Sequence, residues 1–285
     1  MPPRTVSVVN MKGGVGKSTT VASLAETLAV EGVRVLVIDL DPQSNVSMML
    51  AGPERWVELR QKGKTIDDYF NQFVQTDSHP KFLRDCLAYE VGDVSGEMRL
   101  DLLISTPEFR YIERHALEKW VKQAFDVRQI GNRFAKLTQA AIDSVQDSYD
   151  LVLFDCPPGI SIFAEAAIEL SEFIVIPTIP DYISRLGIFS FRKRALRSME
   201  QRRFTEDRIW TLITKYEASN TLHQSEAALL KDQFNVFETR IPQTEQIARA
   251  AEWFDAKRTL DQKYGEATNV IRRFAGEFRE KVGLI

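Results

Sequence analysis

The chain has 285 residues, 44% of them apolar, which is ample for a hydrophobic core. Its net charge of −3 suggests no partner, but residues 185–285 hold 19 Lys/Arg against 14 Asp/Glu while residues 1–184 hold 18 against 26. Two cysteines, Cys86 and Cys156, exclude a disulfide scaffold or a metal-ligand spacing. The lack of an 18-residue apolar run excludes a spanning helix of ordinary kind.

In chain order, residues 4–9 predict a strand that starts too early to leave room for a secretory leader, so a reducing cytoplasm is expected. Residues 10–16 form a glycine-rich loop and 17–31 a helix that stops at Gly32. Strand, glycine-rich turn and helix are the setting of a phosphate-binding loop, here Lys12-Gly13-Gly14-Val15-Gly16-Lys17-Ser18-Thr19. The glycines let consecutive N–H groups converge on phosphate oxygens, and the helix start adds unpaired donors and its positive dipole end. Lys17 would reach the β- and γ-phosphates and the Ser18 hydroxyl would ligate Mg²⁺. A standard loop would place glycine where Met11 stands, so the match is to the variant opened by Lys12.

Residues 33–39 predict a second strand, parallel to the first through a right-handed crossover, ending in Asp39 and Asp41. The turn DPQSN follows, with Ser44 or Asn45 as cap of a short helix broken at Gly52-Pro53. Residues 52–99 are a candidate helical insertion with apolar anchors at Trp56, Leu59, Ile66, Tyr69, Phe70 and Phe73. It either binds a partner or covers a sheet edge, and we favour the covering role. Further strands are expected at Leu100–Ile104, Leu151–Asp155, Phe173–Pro177, Ile209–Thr214 and Val236–Ile241, with helices between them. The expected fold is α/β, a P-loop NTPase with a twisted, mostly parallel sheet and helices on both faces, forming one domain over residues 1–285. Asp39, Asp41 and Asp155 then lie on the carboxyl edge of the sheet beside the phosphate loop, where they can converge on Mg²⁺ and an attacking water. Each alone is explained equally well as a turn or cap residue.

KGGVGKST, DLDPQSN and YDLVLFDCPPG together resemble the deviant Walker A ATPases of the ParA/MinD group, nearest to ParA-like partition ATPases. The resemblance implies a nucleotide-sandwich homodimer formed on ATP, in which Lys12 crosses to the partner's phosphates. It implies that Asp41 positions the hydrolytic water, that Asp39 and Asp155 stand on the Mg²⁺ side, and that Pro242 contacts the adenine with Glu245 and Arg249 flanking it. The implied function is an ATPase switch that hydrolyses ATP slowly under a ParB-like adaptor, binds DNA nonspecifically on the nucleoid, and positions a plasmid, chromosome region or other cargo.

Two segments bear on that output. A helix near 183–203 carries Arg192, Lys193, Arg194, Arg197, Arg202 and Arg203, with Phe189, Leu196 and Met199 expected toward the core. Arg192, Lys193 and Arg197 share one face suited to phosphate contact, or are simply solvated. After the strand IWTLIT the family's arginine position is Ser219, and Lys215 is the candidate substitute for DNA contact. The C-terminal helix, residues 268–285, spaces Ile271, Phe274, Phe278 and Val282 on one side. That stripe serves docking, which we favour, or membrane contact, which would make the protein a MinD-like regulator at a membrane or protein partner. Reductase relatives bridge an iron–sulfur cluster, and Cys86 and Cys156 lack the arrangement for it.

Overall fold

The computed structural model describes residues 2–76, 82–159, 161–199 and 206–284, with residues 76, 127 and 193–199 described by backbone alone. In chain order the elements are β1 (Arg4–Val8), α1 (Lys17–Val30), β2 (Val35–Asp39), α2 (Asn45–Ala51), α3 (Pro53–Gln61), α4 (Ile66–Thr76) and α5 (Leu83–Cys86). Next come β3 (Leu100–Leu103), α6 (Phe109–Lys122), α7 (Val127–Asp143), β4 (Leu151–Asp155), α8 (Ile162–Leu170), β5 (Phe173–Thr178) and α9 (Tyr182–Met199). The chain closes with β6 (Ile209–Ile213), α10 (Thr221–Gln233), α11 (Glu245–Arg249), α12 (Leu260–Tyr264) and α13 (Thr268–Val282).

The six strands form one sheet in the order β3-β2-β4-β1-β5-β6, and every pairing is parallel. Both faces are covered, which explains why the strands read as near-continuous apolar runs. The two-residue period divides them cleanly. Val35 and Val37 pack with α1 and α13 on one face, whereas Leu36 and Ile38 pack with α4, α6 and α7 on the other. The order places β1 between β4 and β5, so the register sets Val8 against Asp155 and Asp155 against Asp39. The end of the phosphate-loop strand and two of the candidate carboxylates are therefore neighbours on one edge.

Residues 52–99 bury Trp56, Leu59, Ile66, Tyr69, Phe70, Val74, Leu83 and Leu87. Ala88 pairs antiparallel with Leu102, so the segment also runs beside the edge strand β3. Gly52, at φ 76°, marks a close approach, since a Cβ there would stand 2.5 Å from the Trp253 indole. The apolar stripe of α13 is spent inside the molecule, with Ile271, Phe274, Phe278 and Val282 all buried and the helix packed on α1. Burial of side chains this size contributes about 1.5–3 kcal/mol each. No helix among the described residues is long and apolar enough to cross a membrane.

Two expectations require correction. The strand over Val236–Ile241 is reduced to isolated bridges, Val236 with Thr211 and Pro242 with Tyr216. Between these points the N–H groups of Glu238 and Thr239 donate to the Glu277 carboxylate at 2.7 and 3.0 Å, which takes them out of a ladder. In α9 the inward face is Ser184, Ile188, Phe191 and Arg192, while Phe189 is 64% exposed, so that apolar residue points away from the core. Leu196 and Met199 are described by backbone alone.

Candidate functional site

Glycine makes the loop possible at its two left-handed positions, Gly14 at φ 72° and Gly16 at φ 85°. Gly16 caps α1, and its carbonyl accepts the first helical hydrogen bond from Thr20 at 2.8 Å. The loop is fixed from both sides. Asn10 donates to the Pro177 carbonyl at 2.7 Å and accepts from the Lys12 N–H at 2.9 Å, while the Thr214 hydroxyl donates to the buried Val15 carbonyl at 2.8 Å. β5 and β6 thus hold the loop that β1 delivers, a support that no local pattern in the loop announces.

Lys17 is buried and donates to the Lys12 carbonyl at 3.3 Å. Burial pulls its ammonium below the usual lysine range, against the charges of Asp155 and Asp41. Asp39 is fully buried and held by protein donors, namely the Asp41 N–H at 2.9 Å, the Ser47 N–H at 3.1 Å and the Ser47 hydroxyl at 2.6 Å. Burial, then the charge of Asp155, holds its carboxyl well above the usual range. Asp155 differs, because both its oxygens are buried and neither meets a hydrogen-bond donor among the described residues. Its carboxyl is pushed up to about 7, first by burial, with Asp41 adding to the rise and Ser18 and Lys17 opposing it. Ser18 exerts that effect without reaching hydrogen-bond geometry. Asp41 accepts from the Gln43 N–H at 2.9 Å, which shapes the DPQSN turn, and Ser44 there is left-handed at φ 56°. Cys156, beside Asp155, is buried and its thiol pKa is raised by burial, which leaves it an inert thiol.

Two adjoining clefts open at this edge, beside Lys17, Ser18 and Asp41. One, of about 500 Å³, is lined by Gly13, Gly14, Lys17, Ser18, Asp41 and Pro158. The other, of about 400 Å³, lies between the start of α1 and the segment 241–248, which runs into α11, and includes Pro242 and Glu245. Gly16, Thr19, Lys215 and Ala251 line both, so the clefts form one continuous groove. Arg249 lines neither cleft, and its guanidinium pairs with Glu245 at 2.7 Å. Lys12 is turned to its own chain, pairing with Asp181 at 2.9 Å and donating to Ser184 at 3.2 Å at the start of α9.

A phosphate loop opened by lysine and a switch-like aspartate turn thus share one groove, and at the sheet edge that delivers them lies Asp155, a buried carboxylate that meets no donor among the described residues. The sequence pattern of the AAA domain family matches residues 3–204. This chain belongs to that family. It is a ParA-like P-loop ATPase. The chromosome-partitioning ATPase Soj of Thermus thermophilus is 29% identical to it over 254 residues, covering 87% of this chain and 84% of Soj. Among solved structures, the plasmid partition protein of Borrelia burgdorferi bound to AMPPNP has a TM-score of 0.70 at 18% identity, covering 98% of this chain and 99% of that one. The pNOB8 ParA bound to nonspecific DNA has a TM-score of 0.66 at 18% identity, covering 99% of each chain. At these identities the structural likeness shows the fold.

The DNA-contact candidates on this ParA-like ATPase divide. Arg192 is 6% exposed, with its guanidinium over the Phe234 ring and donating to the Ile209 carbonyl at 3.2 Å, so it is a core residue and leaves the basic face. Lys215 lines the groove. The side chains of Lys193, Arg194 and Arg197, and all of Arg202 and Arg203, lie outside the described residues. Sequence reasoning missed Asn10, Ser47, Asp181 and Thr214, which orient the named residues. A polar residue at a strand's carboxyl end, as in Asn10 and Thr214, was the available signal.

Proposed function

We propose that the protein is an ATP-dependent dimerising switch that hydrolyses ATP slowly and binds DNA without sequence preference, so that cargo is partitioned or positioned. Asp155 carries this reading: a fully buried carboxylate that meets no donor among the described residues, beside a phosphate loop, fits Mg²⁺ bound with nucleotide. Ser18 and Asp155 would hold the ion, which supplies charge neutralisation at the β- and γ-phosphates. Asp39, with its oxygens taken by Ser47 and Asp41, would stand behind them and fix the turn. Lys17 and Lys12 would offset the charge that develops on the transferred phosphoryl group, and Asp41 would orient the attacking water. Pro242 lines the second cleft, and there it would meet the base.

Dimerisation is supported by an exposed apolar stripe that begins beside the Lys12 anchor: Tyr182, Ile183, Leu186 and Phe189 on α9 are 56, 73, 48 and 64% exposed. In such a dimer Lys12 leaves Asp181 for the partner's phosphates. Asp181→Asn, which keeps the shape but removes the charge, is therefore expected to shift ATP-dependent dimerisation to about three- to tenfold lower protein concentration, as read by analytical ultracentrifugation. An unchanged or higher concentration requirement would remove the restraining role of this ion pair.

DNA binding is supported by the basic balance of residues 185–285 and by the likeness to a DNA-bound ParA. A cytoplasmic, nucleoid-associated location and a ParB-like stimulating adaptor belong to the same proposal. The test uses Asp41→Ala protein with ATP, with ADP and without nucleotide, across a salt series. Hydrolysis is expected to fall by about two to three orders of magnitude while ATP stays bound. DNA affinity is expected with ATP alone and to decline steeply with salt. Normal turnover by the variant would refute the role of Asp41, and DNA binding that ignores nucleotide would refute the switch.

A further inference from the structure

We propose that Lys215 is a nucleotide-binding residue that meets the α-phosphate of the bound nucleoside di- or triphosphate, and that it does not serve the DNA. This rests on the ATP reading above and extends it by a third lysine that the phosphate-loop pattern does not contain.

Its place in the groove is the first observation. The cleft at the glycine loop and the cleft at segment 241–248 share only Gly16, Thr19, Lys215 and Ala251, and Lys215 is the charged member of that set. If phosphates fill one cleft and the base the other, the junction falls at the ribose and α-phosphate. The second is backbone conformation. Lys215 sits at φ 51°, where a residue with a Cβ is held at a cost of about 1 kcal/mol. Its neighbours enforce this. Thr214 donates to Val15 of the phosphate loop at 2.8 Å, the Tyr216 N–H donates to Ile241 at 3.0 Å, and the Gln243 N–H donates to Tyr216 at 3.3 Å. The kink at Lys215 therefore joins the phosphate loop to the base loop.

The third observation is electrostatic. Lys215 is half-buried, and among the described residues its ammonium makes no ion pair or hydrogen bond. Elsewhere around the groove each cation is engaged: Lys12 by Asp181 and Ser184, and Lys17 by the Lys12 carbonyl and the nearby carboxylates. An unengaged cation in a partly dry groove favours an anionic ligand more than it would in open water.

The experiment compares wild type, Lys215→Met and Lys215→Arg by titration with ADP and ATP, by competition with adenosine, and by steady-state hydrolysis. Lys215→Met keeps an unbranched side chain at the left-handed position and removes only the charge. It is expected to weaken ADP and ATP about tenfold each and to raise KM with kcat near wild type. Competition by adenosine, which has no phosphate, is expected to stay unchanged. Lys215→Arg is expected to restore most of the affinity, and the salt dependence of DNA binding should be the same in all three. ADP affinity of Lys215→Met within twofold of wild type would overturn the assignment, as would an equal loss for adenosine. A wild-type protein that binds no nucleotide would overturn the ATP reading itself, which separates that failure from this one.

Discussion

Replacing Lys263 by Met is expected to destabilise the fold by about 3–5 kcal/mol, the cost of leaving a buried ion cluster without its cation. The Lys263 side chain is 0% exposed and its ammonium sits 2.7 Å from Glu26 and 2.5 Å from Asp93, both carboxylates also being buried. Tyr264 donates to the second oxygen of Glu26 at 2.7 Å, and Arg258 pairs with Asp93. Glu26 lies on α1, the helix that follows the phosphate loop, Asp93 on the segment that covers β3, and Lys263 on α12, so one ammonium ties three separate parts of the chain. Methionine fills the same space without charge, strands the Glu26 carboxylate and leaves Asp93 to Arg258 alone. The melting temperature should fall by roughly 6–15 °C.

The loss should depend on pH with a definite sign. Burial raises the Glu26 carboxyl above its ordinary 4.5, with Lys263 opposing the rise. A carboxyl raised in the folded state binds protons more tightly there, so its contribution falls as pH climbs from about 4.5 through the folded value. Without Lys263 the rise is larger, and the variant's deficit should widen with pH in that window and narrow below it. Adding Glu26→Gln to Lys263→Met should recover part of the stability, because Asp93 retains Arg258. Chemical denaturation at several pH values checks both points. A deficit under about 0.5 kcal/mol at neutral pH would mean that the cluster contributes nothing net.

Lys17→Ala is expected to lower ATP affinity by about 100- to 1000-fold, with no comparable effect on the stability of the nucleotide-free chain. Lys17 is 6% exposed at a groove whose glycine loop offers backbone donors, and the carboxylates whose charge it feels are Asp155, buried at the sheet edge, and Asp41, which lines the groove. At about 4 Å and an effective dielectric near 20, a unit charge pair is worth about 4 kcal/mol, so a triphosphate brought against Asp41 and Asp155 without this cation meets net repulsion. For the free chain the cost of burying the ammonium and its attraction to the two carboxylates oppose one another. Thermal shift with and without ATP and Mg²⁺ reads both halves. The ATP-induced stabilisation should vanish while the unliganded melting temperature moves little. Retention of the ATP shift would dismiss Lys17 as the phosphate lysine.

Local order alone made much of the site legible. KGGVGKST needs no partner to be recognised, because its glycines, its lysines and the strand-to-helix change around it are all adjacent in sequence. The ends of Val35–Asp39 and Leu151–Asp155 were similarly plain, since long β-branched and leucine-rich runs break sharply into carboxylates. Arg192 and Phe189 were misplaced for one shared reason. Near an amphipathic boundary a single-residue rotation exchanges the inward and outward faces, and here Arg192 packs over the Phe234 ring and donates to Ile209 of β6 while Phe189 turns out. The short strand at Val236–Ile241 failed because Glu277, far along the chain, claims two of its N–H groups.

By itself the sequence determined the α/β alternation, the phosphate loop and the three aspartates that accompany it, because each is written in contiguous residues whose chemistry is local. Only the tertiary structure decided that Asp155 meets no donor among the described residues, that Lys12 rests on Asp181, and that Lys215 lines the groove beside the glycine loop. Those are questions of which donors and charges lie across a sheet edge or between two loops. Their answers depend on strand order and burial, and both are set by packing between residues more than a hundred positions apart.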